Sequence, residues 1–204
     1  MAAESPLAAL INRQSRVPDV VDAQSLRDVV RGLLDREAIR DLVMLYARAV
    51  DDHDIDAVVS TFTADGVFDR RGEEAAGHDE IRASFLMAMK TYRAMLHTPE
   101  AHVVTLTAPD TATGWASGHA ELVTRRTTII AAYRYDDAYV RAEGRWRFSR
   151  RRVQFMYAVP ADEHASGLVG PDRMRWPGLE PAPADYPESI ETWVTSRRCP
   201  RLRA

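Results

Sequence analysis

The chain has 204 residues, 46% hydrophobic and 28% charged, with a formal net charge of −3. This length suits one domain with extra segments at its ends, and the charge gives no electrostatic case for nucleic acid or an anionic membrane as partner. The single cysteine, Cys199, excludes an internal disulfide framework and a cysteine-based metal site.

Residues 1–20 read as an extension broken by Pro6 and Pro18, with a short helical turn at residues 7–11. The opening MAAESPLAALINR lacks the basic and apolar regions of a secretory signal, and no apolar run approaches the ~20 residues of a membrane span, so a cytoplasmic location is expected. Residues 23–34 (AQSLRDVVRGLL) are helix-like, with Gly32 as a weak point. In the next stretch, DREAIRDLVMLYARAVDDHDID, Ile39, Leu42, Val43, Tyr46, Ala49 and Val50 form one apolar helical face, and Asp35 is its expected N-cap. Asp51, Asp52, Asp54 and Asp56 crowd the C-terminal end, where the macrodipole disfavours negative charge. Asp51 lies at the edge of the apolar face. It is either solvated like its neighbours or turned into a cavity under the helix.

Ile55, Val58, Val59 and Phe62 predict a second short helix, followed by a brief strand at Val67, Phe68 and Asp69. RRGEEAAGHDE reads as a polar loop. His78 or Asp79 is expected to cap a third helix over residues 80–90, with Ile81, Phe85 and Met89 on its buried face. From Met95 the pattern turns to strands, with a turn at Pro109-Asp110 and a hairpin turn at Glu143-Gly144. Beyond Pro160 the chain is rich in proline and glycine, as expected of a tail that covers a mouth or embraces a partner subunit. Helices followed by long antiparallel strands predict an α+β protein whose bent sheet wraps the helices as a cone with one open mouth.

His97 and His102 are five residues apart, so a regular strand points them to opposite faces. No HxH or HExxH spacing occurs, and the consecutive acids of DDHD diverge on a helix, so no metal is expected. GxGxxG, P-loop and GxSxG motifs are also missing. What remains is a histidine with a carboxylate. A neutral imidazole takes a proton when a carboxylate holds its other nitrogen and stabilises the imidazolium. From the residues alone, His97 reads first as a sheet residue with a satisfied hydrogen bond, and its pairing with Asp51 stays open.

The segments YARAVDDHDIDAVVSTFTADGVFD, GHDEIRASF, MLHTPEAHVVTLTAPDTATG and YDDAYVRAEGRWRFSRRRV together resemble the SnoaL-like branch of the nuclear transport factor two-like superfamily. The resemblance covers residues 34–159 as a cone domain, between an extension (1–33) and a tail (160–204). Within the superfamily the chain is most similar to the scytalone dehydratase and hexachlorocyclohexane dehydrochlorinase families, cofactor-free lyases with a catalytic Asp–His dyad. The resemblance implies that Asp51 and His97 form this dyad, that Arg141 positions a leaving group, and that the chain is a homodimer or homotrimer. A second assisting histidine of scytalone dehydratase falls on Leu122 here, with His119 three residues away.

The implied function is a cofactor-independent lyase or isomerase acting by β-elimination, proton shift or polyketide-type cyclisation on a small apolar molecule. Tyr46 is either a substrate hydrogen-bond donor or a plain apolar-face residue. Trp115, Leu86, Met87, Ile129 and Tyr133 are candidate pocket walls, as are Met174 and Trp176 if the tail closes the pocket. The alternative is a non-catalytic binding or assembly module, such as a small subunit of a ring-hydroxylating dioxygenase.

Overall fold

The computed structural model describes residues 7–8, 11 and 21–198. The readings for Pro6, Pro18 and Cys199 fall outside them. The first long helix, α1 (Ala23–Asp51), runs unbroken through Gly32. Its N-cap is Asp22, whose carboxylate accepts from the Ser25 N–H at 2.7 Å, while the Ser25 hydroxyl accepts from the Asp22 N–H at 3.1 Å. Asp35 is therefore no cap. It lies buried in mid-helix, where it accepts hydrogen bonds from Arg141 and from Trp146 Nε1 (3.2 Å). Helix α2 (Ile55–Ser60) follows, capped by Asp54, so Phe62 begins a strand instead of ending a helix.

Strand β1 (Phe62–Arg70) turns through Arg71-Gly72 into a short edge strand, β2 (Glu73–Ala76), within the expected polar loop. Helix α3 (Gly77–Thr91) starts without a side-chain cap, and His78 instead contacts the Phe62 carbonyl oxygen at 3.2 Å. Strands β3 (Ala94–Ala108), β4 (Thr111–Val123), β5 (Thr128–Ala142) and β6 (Arg145–Pro160) form an antiparallel meander. Glu143 and Gly144 both have positive φ, as the two-residue hairpin turn requires.

The six strands form one mixed sheet in the order β2-β1-β6-β5-β4-β3, with β1 parallel to β6. The sheet curls around α1 and α3 as a cone and does not close. Ile39, Val43, Tyr46, Phe62, Ile81, Ile129 and Phe148 are among the buried residues of the core between them.

Bulges produce the bend and set which side chains face inward. In β3, Pro99 pairs with Gly118 but Ala101 with Ser117, so Glu100 is an extra residue. In β6, Ala138 pairs with Arg150 but Tyr139 with Phe148, so Ser149 is extra. Gly118 sits under the first bulge. A Cβ there would lie 2.2 Å from the Thr98 carbonyl oxygen, so only glycine fits. The tail folds back over β6, where Met174 bridges both Ala158 and Ala182. Arg173 fixes it through Glu188 (2.7 Å) and the Met156 carbonyl oxygen (2.9 Å).

Candidate active site

The four acids after the apolar face of α1 have separate fates. Asp52 pairs with Arg48, Asp54 caps α2 and Asp56 meets Arg82 at 2.6 Å. Asp51, five residues after buried Tyr46, turns under the helix toward β3. Its Oδ1 lies 2.7 Å from His97 Nδ1, and its two oxygens accept the His97 backbone N–H at 3.0 and 2.9 Å. Both side chains are largely shielded, at 15% and 13% exposure. A carboxylate beside Nδ1 places the ring proton on that nitrogen and leaves the Nε2 lone pair free. Among the described residues nothing hydrogen-bonds to His97 Nε2.

The ring borders a cavity of about 840 Å³ between the sheet, α1 and α3. Tyr46, Phe68, Phe85, Leu122, Tyr133 and Tyr135 line its inner part, and Trp176, Pro177 and Leu179 of the tail lie over it. The Tyr133 ring centre is 5.9 Å from that of His97. Burial raises the pKa of Tyr46, Tyr133 and Tyr135, so these phenols stay protonated and serve as hydrogen-bond donors. Phe155 packs edge-on against Trp176, which joins the tail to the cavity wall.

Beneath the dyad lies a buried polar network. Arg151, with a fully buried side chain, makes two hydrogen bonds to Asp137, at 3.0 and 3.1 Å. Its guanidinium stacks on the rings of Tyr135 (3.8 Å), Phe148 (4.2 Å) and Tyr46 (4.3 Å). Tyr139 donates to Asp137 at 2.8 Å, and His102 Nε2 lies 3.0 Å from the Tyr139 hydroxyl. Burial, with Arg151 and Arg40 nearby, pushes the His102 pKa down to about 4. His102 is therefore a neutral structural group. It faces inward as His97 does, because the Glu100 bulge reverses the alternation between them.

Of the residues anticipated from sequence, His97, Tyr46 and Tyr133 meet at the cavity, with Asp51 behind His97. Arg141 does not. It lies far along β5 from Ala131, which is level with His97 through Ala120. It is held by Asp35 and Asp110 and stacks on Trp146 at 4.6 Å. The inward-facing arginine near the dyad is Arg151, which shares a void of about 10 Å³ with Tyr46, His97 and Tyr133. His119 and Trp115 occupy the odd positions of β4, which face away from the inward Ala112, Ala116, Ala120 and Leu122. His119 binds Glu100 at 2.7 Å instead. Leu86 and Met87 are exposed on α3 and Ile129 is buried in the core, so none lines the cavity. Met174 of the tail is buried between Ala158 of β6 and Ala182, and Trp176 lines the cavity. No group of three or more potential metal ligands occurs among the described residues. Nor is any of their helices long and apolar enough to cross a membrane.

Known proteins share this architecture. A protein from Novosphingobium aromaticivorans provisionally assigned as a scytalone dehydratase superposes with a TM-score of 0.61 at 18% identity, over 64% of this chain and 90% of that one. The hexachlorocyclohexane dehydrochlorinase LinA-type3 from Novosphingobium barchaimii gives 0.60 at 19% identity, over 76% and 98%. A second Novosphingobium aromaticivorans protein, provisionally assigned as an aromatic ring hydroxylase, gives 0.60 at 32% identity, over 65% and 97%. No curated protein matches the sequence. Residues 31–152 match the SnoaL-like domain, and the chain belongs to that family, with the nuclear transport factor two-like cone fold.

Proposed function

We propose that the protein is a cofactor-independent lyase or isomerase whose general base is His97, oriented by Asp51. The observation that carries this reading is the 2.7 Å contact between His97 Nδ1 and Asp51 at the wall of an apolar, phenol-lined cavity. In this mechanism Nε2 removes a proton from a carbon next to an activating group. The C–H electrons form a double bond as a β-leaving group departs with its own electron pair, or they are reprotonated elsewhere in an isomerisation. Asp51 stabilises the imidazolium that results. Tyr133 or Tyr46 donates a hydrogen bond to the substrate oxygen on which charge develops. The neighbours named as scytalone dehydratase and hexachlorocyclohexane dehydrochlorinase support this chemistry by analogy. Residues 34–159 are the catalytic unit on this reading, acting as a homodimer or homotrimer in the cytoplasm.

The test is a turnover screen of small β-elimination substrates, beginning with scytalone and hexachlorocyclohexane, with the wild type, His97→Gln and Asp51→Asn. Activity that His97→Gln abolishes supports the proposal, and activity that survives it ends the mechanism. The 32% identity to a protein provisionally assigned as a ring hydroxylase favours a second reading, a non-catalytic module that assembles with an oxygenase. Co-purification of a large oxygenase subunit, with assembly indifferent to His97→Gln, distinguishes it. A shielded imidazole that borders the cavity with Nε2 unpartnered among the described residues adds nothing to a pure scaffold, which argues for the catalytic reading.

A further inference from the structure

The mouth of the cavity carries a charge at odds with the rest of the chain. The protein is net −3, yet Arg70, Arg71, Arg125 and Arg126 line the outer part of the cavity against one acid, Glu73. The fold accounts for two of them. Arg71 is tied to Asp185 at 2.9 Å, and Arg70 lies 3.8 Å from Glu73. The guanidinium groups of Arg125 and Arg126 have neither an ion pair nor a hydrogen bond among the described residues.

They stand on the turn between β4 and β5, and Thr124 fixes that turn. Its hydroxyl accepts the N–H groups of Arg126 (3.1 Å) and Thr127 (3.0 Å) and donates to the Thr127 carbonyl oxygen (2.8 Å). Two adjacent guanidinium groups repel each other by about 1 kcal/mol at about 4 Å in water, and an anion between them relieves this and meets two cations at once. Ala120 pairs with His97, and β4 ends three residues later at Val123, with Arg125 and Arg126 on the turn just beyond. At the rise of a β-strand the end of β4 lies about 10 Å along the sheet from the dyad.

We propose that the substrate is an amphipathic anion. Its apolar body reaches His97, and its carboxylate or phosphate group is held at the rim by Arg125 and Arg126. This rests on the cavity being the substrate site, as proposed above, but not on the base chemistry.

The experiment is calorimetric titration of the full chain with decanoate, decyl phosphate and decan-1-ol, none of which needs turnover. The variant is Arg125→Gln/Arg126→Gln. At least one anion is expected to bind the wild type about tenfold tighter than the alcohol, with the preference weakening as salt rises. The double variant is expected to bind all three ligands alike. Preference for decanoate alone assigns a carboxylate, and for decyl phosphate alone a phosphate. Equal binding of all three by the wild type, or a preference that survives the double substitution, overturns the proposal. Anion selectivity retained in a protein that fails every elimination assay would leave this inference standing while the lyase reading falls.

Discussion

Arg151→Met is the sharpest structural perturbation, because it removes the cation from a fully buried pair. Asp137 then keeps only the Tyr139 hydroxyl of its three hydrogen-bond donors. Methionine replaces most of the aliphatic stem, so packing among Tyr46, Tyr135 and Phe148 is largely preserved. Breaking a buried pair in this way costs about 3–5 kcal/mol. The carboxylate has one escape, which is to take up a proton. Starting from an unfolded pKa of about 3.9, that costs about 4 kcal/mol at pH 7 and about 1.5 kcal/mol at pH 5. The stability deficit of Arg151→Met against wild type should therefore be about 4 kcal/mol at pH 7 and shrink on acidification. Urea denaturation at the two pH values measures it. Arg151→Met/Asp137→Leu, which removes the pair together, should recover most of the loss. A deficit below about 1 kcal/mol that is indifferent to pH would refute the view that Asp137 is ionised and held by Arg151.

Three further outcomes follow from the same geometry. Asp51→Asn removes an anion beside the forming imidazolium; at about 4 Å and an effective dielectric of about 20 this is worth about 4 kcal/mol, so kcat/KM should fall about 10³-fold. A loss below about tenfold, measured on a substrate from the screen, would exclude Asp51 as the partner of the base. His102 binds its proton less readily folded than unfolded, so its contribution is complete above about pH 6.5 and is lost as pH falls toward about 4. The full effect is about 3 kcal/mol, which solvent at its partly exposed edge reduces to about 2 kcal/mol. The stability difference between wild type and His102→Gln should change by that amount between pH 7 and pH 4, and a flat difference would contradict the assignment. Gly118→Ala forces a methyl group against the Thr98 carbonyl oxygen and the Tyr133 hydroxyl, at a cost of about 1–3 kcal/mol. Thermal denaturation should show a lower Tm, and an unchanged Tm would mean that the β3 bulge yields freely.

The helical core was legible because its signal is local. The spacing of Ile39, Val43, Tyr46 and Val50 defines the buried face of α1 and places Asp51 at its edge. Asp35 misled because its partners, Arg141 and Trp146, lie 106 and 111 residues away, where no local pattern reveals them. The sheet residues were misplaced for a different reason. Strict alternation puts His97 and His102 on opposite faces, whereas the bulge at Glu100 brings both inward, and the bulge at Ser149 shifts the inward face of β6 from even to odd positions. A trace of the second bulge is present in the sequence. The buried apolar positions of β6 are even at Trp146 and Phe148 but odd at Val153, and that switch turns Arg151 inward. The same parity on β4 sends Trp115 and His119 outward, since the small inward residues Ala112, Ala116 and Ala120 are even. The pairing of Asp51 with His97 came from family resemblance, because no spacing rule connects residues 46 positions apart. The arginine rim was missed because it joins two hairpin turns that only the folded sheet brings to one mouth.

The proposed chemistry depends on Asp51 holding His97 with its Nε2 lone pair directed to the cavity. Nitrogen-15 NMR of the imidazole rings reads this without any substrate, by reporting which nitrogen of the neutral His97 ring carries the proton. The wild type should show the proton on Nδ1, and Asp51→Asn should lose that preference. A wild-type ring protonated on Nε2, or a tautomer unchanged by Asp51→Asn, would rule out Asp51 as the group that sets the His97 tautomer.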